Sequence, residues 1–154
     1  MSETLQAEIK QTRPFGSPEE EAYLNLMRTA NALEQGVTEL LKSYGLTGTQ
    51  YNVLRILRGA GTCGLPCGEA AERMVTRDPD MTRLLDRLEK MGAIERERST
   101  EDRRVVITRL RAEGRALVDR LDEPMAELHR QLLGHLDPEE LRTLTALLTK
   151  VRAG

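Results

Sequence analysis

Arginine is the residue type whose placement in this sequence could do chemistry. Residues 73–115 hold 12 basic and 9 acidic groups, and 11 of those 12 cations are Arg. The guanidinium is a planar fork of donors that suits phosphates and guanine edges better than an ammonium does. On a helix opening at Pro79, an advance of about 100° per residue sets Thr82, Arg83, Asp86, Arg87 and Lys90 opposite Met81, Leu84, Leu85, Leu88 and Met91. Arg83 and Arg87 are a like-charge pair four residues apart, mildly unfavourable in an isolated helix. In a major groove the same face offers two forks to base edges or phosphates, with Thr82 for a phosphate or a thymine methyl. Taken alone, it fits equally well a solvated surface balanced by Asp80 and Asp86.

A second set follows at once. Arg96, Arg98, Arg103, Arg104 and Arg109 crowd two short β-type runs, Ala93–Arg98 and Arg104–Thr108, around the polar turn Ser99-Thr100-Glu101-Asp102. Arginines at the tip of such a hairpin can enter a narrow minor groove, where negative potential is focused. Asp102 can hold one of the neighbouring guanidinium groups in position. A charged edge hairpin that resists aggregation accounts for the same charges, but not for the helices that precede it.

Those helices have readable starts and stops. Residues 1–16 lack periodicity and contain Pro14 and Gly16, so a flexible arm is expected. Ser17-Pro18-Glu19-Glu20 is a capping box with Pro at the first helical position. Leu24, Met27, Ala30, Val37, Leu40, Leu41 and Tyr44 then recur at helical spacing to about residue 44. Thr47-Gly48-Thr49-Gln50 opens a second helix with Tyr51, Val53, Leu54 and Leu57 inward, ended by Gly59 and Gly61. A short third helix is predicted from Pro66 to Met74. The Arg-bearing helix follows, with Asp78 as cap, Pro79 first and Gly92 as stop. Two short helices behind a longer one, with a hairpin after them, are the layout of a winged helix. From Arg111 to about Leu136 a helical pattern returns, too long for a small lone core. Pro124 predicts a kink or break near Arg120–Asp122. Asp137-Pro138-Glu139-Glu140 starts a last helix with Leu141, Leu144, Leu147, Leu148 and Val151 on one face.

Composition narrows the classes. The 154 residues suit one domain. They contain no Trp, one Phe and three Tyr, so the core is expected to be aliphatic and the protein helical. No apolar run is long enough for a membrane span, and no secretory leader is recognised, so the expected location is the cytoplasm. Net charge is −2, but residues 73–115 are +3 while 1–43 and 116–154 are −3 and −2. Cys63 and Cys67 form no CxxC pair. Cys67, near a helix start, could act as a redox sensor, although two semi-buried thiols in a reducing cytosol explain both residues. His129 and His135 are six apart and share no helix face, and Glu127 and the cysteines complete no ligand spacing. No nucleotide loop, nucleophile elbow or HExxH is present. No enzyme, cofactor or metal is expected.

The run Leu84-Leu85-Asp86-Arg87-Leu88-Glu89-Lys90-Met91-Gly92-Ala93-Ile94-Glu95-Arg96, with Asp102-Arg103-Arg104 and Val106-Ile107-Thr108 after it, resembles the MarR family of bacterial winged-helix regulators. That pattern is a recognition helix ending in a leucine–Gly step, then a wing with Asp-x-Arg before a short strand. Asp102 and Arg104 fill the Asp-x-Arg positions. Arg109-Leu110 follows Thr108 in place of the usual Leu-Thr ending, and Gly114 stands where the next helix begins. The segment from Leu46 to Leu57 resembles the family's second helix, and the likeness covers about residues 20–150. It implies a mainly α fold with a small β-hairpin wing: a winged helix-turn-helix at 46–110 and a helical dimerisation region at 17–45 and 111–154. It implies a homodimer on pseudo-palindromic double-stranded DNA, with half-sites roughly 34–36 Å apart. Such regulators usually repress, and leave DNA when a small aromatic or phenolic effector binds; Tyr23, Met27, Tyr44, Tyr51 and Met74 could line its pocket here. The DNA-binding set is Thr82, Arg83, Asp86, Arg87, Lys90, Arg98, Asp102, Arg103 and Arg104. Two other readings stand beside it: a winged-helix protein–protein interaction module, and a thiol-based redox regulator using Cys63 and Cys67, though the oxidant-sensing members carry their Cys near the first helix.

Overall fold

A computed structural model describes residues 4–154, and among them seven α-helices, a 3₁₀ turn and three strands follow one another along the chain. The caps expected at Ser17, Thr47 and Asp137 form. The Ser17 hydroxyl accepts from Glu20 N–H at 3.1 Å and helix α2 runs Pro18–Lys42, but the reciprocal half of the expected box differs: Glu20 Oε2 accepts from Gly16 N–H at 2.5 Å, one residue before the cap. Thr47 and Gln50 exchange both bonds of a capping box at the head of α3, Gly48–Ala60. Asp137 and Glu140 do the same before α7, Pro138–Ala153. Each box satisfies orphan amides of the first turn with side-chain oxygens three residues away.

Residues 1–36 and 37–154 are two compact units. In the first, the arm expected to lack structure carries one helical turn, α1, Leu5–Glu8, whose Leu5 is buried. A single turn is too short to display a helical period, which is why the pattern missed it. In the second unit the core is aliphatic: Leu41, Val53, Leu54, Leu57, Leu85, Leu88, Ile94, Val118 and Leu121 are almost wholly buried. Helix α4, Cys67–Glu72, is shorter than predicted, because a strand the sequence did not suggest, β1 at Leu65–Pro66, precedes it. β1, β3 (Val106–Leu110) and β2 (Ile94–Arg98) form an antiparallel sheet in the order β1-β3-β2, with Ile94 opposite Leu110 and Arg98 opposite Val106. Pro66 is tolerated there because β1 is an edge.

Three further boundaries differ. α5 runs Met81–Lys90 and is capped by Asp80, not Asp78. Asp78 instead accepts from Asp80 N–H at 2.8 Å, a local turn that leaves Pro79 outside the helix. The second strand of the hairpin begins at Val106, not Arg104. Asp102 captures Arg104 N–H with its carboxylate and Val105 N–H with its carbonyl, so neither amide is free for the ladder. Pro124 does not break α6, which runs from Ala112 to Leu133. Leu121 and Met125 on either side of it are buried in the core, and this packing outweighs the single helical bond that Pro removes.

Candidate nucleic-acid interface

Helix α5 is held by its apolar stripe. Leu84, Leu85 and Leu88 are buried, so Thr82, Arg83, Asp86, Arg87 and Lys90 face outward as the 100° advance requires. Its first turn is closed by Asp80 Oδ1, which accepts from Arg83 N–H at 3.0 Å. Its end is a Schellman turn: Gly92 at φ +74° lets its own N–H reach Glu89 C=O and Ala93 N–H reach Leu88 C=O, both at 3.0 Å. Only the three residues Met91, Gly92 and Ala93 of this turn separate α5 from β2.

The structure sorts the arginines into two groups. Three of the hairpin's five are engaged internally. Arg96 donates from Nε and Nη2 to Glu89 and from Nη2 to Asp86. Arg98 Nη1 donates to the Arg103 carbonyl at 2.9 Å and closes the hairpin loop. Arg109 pairs with Glu97 at 3.0 Å across the two strands. Arg103 and Arg104 remain at the wing tip. Asp102 Oδ1 accepts from Arg104 N–H at 3.0 Å and from its Nε at 3.2 Å, holding the base of a side chain that is 91% exposed. Among the described residues, Arg83, Arg87, Lys90 and Arg103 are exposed and their side chains form no ion pair. Asp86, expected on the outward face, is there but is taken by Arg96.

The electrostatics follow from these pairs. Hydrogen bonding from Arg96, the largest cause, holds the Glu89 carboxyl below its ordinary range. Its bonds to Glu89 and then to Asp86 in turn stabilise the charged form of Arg96. Elsewhere Arg58 clamps α3 to α6, donating to Asp119 and bidentately to Asp122 at 2.8 Å. This bonding lowers the Asp122 carboxyl.

Several residues with roles were not singled out from the sequence. Asn52 Oδ1 accepts from Val75 N–H at 2.8 Å, tethering the loop before α5 to α3. Arg77 in that loop is exposed and forms no ion pair among the described residues. Glu89 and Arg58 act through partners on other elements, 7 and over 60 residues away, and no helical or strand period signals such contacts. The five residues considered for an effector pocket fall in different surroundings. Tyr51 and Met74 are buried in the core of residues 37–154, with Tyr44 packed against it. Tyr23 and Met27, in residues 1–36, are 60% and 54% exposed. Cys63 is exposed on the 3₁₀ turn Gly61–Cys63, and Cys67 Sγ lies 3.2 Å from the buried Thr108 hydroxyl. Among the described residues no His, Cys, Asp and Glu cluster could hold a metal.

This arrangement of helix and wing has close counterparts among known proteins. The multiple antibiotic resistance protein MarR of Salmonella typhimurium is 34% identical over 131 residues, 82% of this chain and 90% of that protein. The chain belongs to the MarR family. The MarR family model matches residues 46–106, from the residue before the Thr47 cap to the first residue of β3. The S. aureus MepR–DNA complex is similar in structure, with a TM-score of 0.76 and 26% identity over 86% of this chain and 96% of that one. The PcaV regulator of Streptomyces coelicolor, solved with its natural ligand, has a TM-score of 0.70 and 25% identity, covering 81% and 89% of the two chains. The MarR relatives are transcriptional regulators, and the fold is the winged helix that the family resemblance implied.

Proposed function

We propose that this MarR family member is a homodimeric, sequence-specific DNA-binding regulator, a repressor acting in the cytoplasm. One observation carries the reading: on the winged-helix scaffold, Arg83, Arg87 and Lys90 of α5 and Arg103 and Arg104 of the wing are left exposed while neighbouring arginines are engaged internally. Arg83 and Arg87, with Thr82, read base edges in the major groove. Arg103 and Arg104 take backbone phosphates or the adjacent minor groove. Asp86, Asp102 and Arg98 act one step back, by holding Arg96, Arg104 and the wing loop. The DNA complex of MepR supports this assignment of partner.

Two further parts belong to the same reading. The apolar face of α7 is open in the single chain, with Leu147 56% and Val151 64% exposed. A second copy covering it accounts for a terminal helix that has no buried residue of its own. The ligand complex of PcaV supports release of the DNA by a small molecule, which the resemblance makes aromatic or phenolic. The test is a salt titration of binding to the DNA upstream of the chain's own gene and to a scrambled duplex of equal length. Selective binding that weakens steeply with salt is the expected result. Equal binding to both duplexes, or none at low salt, overturns sequence-specific regulation and favours an architectural or protein-binding role.

A further inference from the structure

Arg96 lies on β2, opposite the buried Thr108 of β3, and its side chain is only 21% exposed. It reaches α5 by four bonds. Its main-chain N–H donates to Glu89 Oε2 at 3.1 Å, its Nε to the same oxygen at 3.3 Å, its Nη2 to Glu89 Oε1 at 3.2 Å, and its Nη2 also to Asp86 Oδ1. Asp86 and Glu89 are three residues apart and therefore share one face of α5. Because one of the four bonds comes from the backbone amide of β2, the contact ties the strand itself to the helix, not merely a mobile side chain. The rigid fork is also over-determined by accepting oxygens on two residues, which a single ion pair would not achieve.

We propose that Arg96 is a positioning residue for DNA recognition: its bridge to Asp86 and Glu89 fixes the wing against the recognition helix, so that Arg83, Arg87 and Arg104 are presented as one constellation. The proposal rests on the DNA-binding reading above. Its logic is geometric. A base-reading fork is useful only within tenths of an ångström of its target, whereas a phosphate attracts a cation from any nearby position. Loosening the wing therefore costs discrimination before it costs overall affinity. The bridge also offsets two carboxylates that would otherwise stand beside Arg83, Arg87 and Lys90 and repel the phosphate backbone.

Glu89→Gln separates this role from simple electrostatics. Removing a negative charge from a DNA-facing surface strengthens binding to every duplex alike if charge is all that matters. If Glu89 anchors the wing, the freed Arg96 raises binding to scrambled DNA while binding to the preferred duplex does not rise in step. Discrimination then falls by about threefold to tenfold. The preferred duplex is the one the wild-type chain selects from a random-sequence pool. Arg96→Gln should lower discrimination to a similar degree, and Glu89→Gln added to it should change nothing more. Arg96→Lys, which can hold only one carboxylate, should fall between. In the DNA-free protein, amide exchange should rise across residues 94–98 and 106–110 in both single variants and stay unchanged in α3 and α6. An unchanged ratio in Glu89→Gln, or additive effects of the two substitutions, overturns the positioning role while leaving DNA binding intact. A wild-type chain that discriminates no duplex overturns the sequence-specific reading itself, whatever the exchange pattern of the variants.

Discussion

Arginines that look equivalent in the sequence do different work. Arg83 and Arg87 are exposed with no ion pair among the described residues, whereas Arg96, Arg98 and Arg109 are each tied to a carboxylate or a carbonyl of the same hairpin or its helix. Arg83→Ala or Arg87→Ala should relax sequence preference, each by about 1–3 kcal/mol if its contact is to a base. A selection from random duplexes with each variant, showing degeneracy at one position per half-site, checks this. Arg104→Ala should weaken binding to preferred and scrambled DNA alike, and should reduce the magnitude of the salt slope by about 1 per wing. An unchanged slope would mean that the exposed Arg104 meets no phosphate.

Both ends of α5 are fixed by groups three to five residues away. Asp80→Ala removes the oxygen that accepts from Arg83 N–H and should cost about 1 kcal/mol of stability, read from the urea midpoint. Asp78→Ala, which loses only the turn bond to Asp80, should cost less; the reverse order would restore Asp78 as the cap. The junction between wing and α6 is tighter still. A Cβ on Gly114 would lie 2.1 Å from the Ala93 carbonyl oxygen and 2.9 Å from Leu110 Cδ1. Backbone cannot yield there as a flexible side chain could. Gly114→Ala should therefore destabilise by about 1–3 kcal/mol, measured by denaturant unfolding.

Across residues 37–154, α3 is joined to α6 by Arg58 with Asp119 and Asp122, and α5 to the sheet by Arg96 with Glu89 and Asp86. Asp122 and Glu89 both titrate below the ordinary carboxylate range, chiefly through hydrogen bonds from their arginines. A carboxyl lowered on folding adds stability above its unfolded value and loses it as pH falls through its folded one. The thermal midpoint should therefore drop as pH descends from about 5 towards 2, and Asp122→Asn should flatten that limb. The effect is modest because the Asp122 side chain is solvated. Leu147 and Val151 leave an apolar face of α7 open to a second copy. Leu147→Arg with Val151→Arg should convert a dimer to a monomer in sedimentation equilibrium without loss of helical signal. A wild-type monomer would remove the dimer from the proposal.

What the sequence determined by itself is local. Ser17, Thr47 and Asp137 cap because their acceptors meet amides two or three residues on, and the stripe Leu84, Leu85 and Leu88 turns the Arg face outward through helical geometry alone. The wing was readable from β-branched Val105, Val106 and Ile107 beside a polar turn, and the family from the run Leu84–Arg96 with Asp102 and Arg104. Tertiary structure alone decided the rest. β1 exists because Leu65 and Pro66 meet Thr108 and Ile107, over forty residues away. α6 survives Pro124 because its neighbours are packed into the core. Which arginines are left exposed depends on carboxylates brought from 10 residues away for Arg96 and 12 for Arg109. Arg96 meets carboxylates on a different element, and Glu97 is a diagonal cross-strand neighbour of Arg109, two positions from its register partner Glu95, so both pairs depend on packing or strand register that the order of residues along the chain does not record.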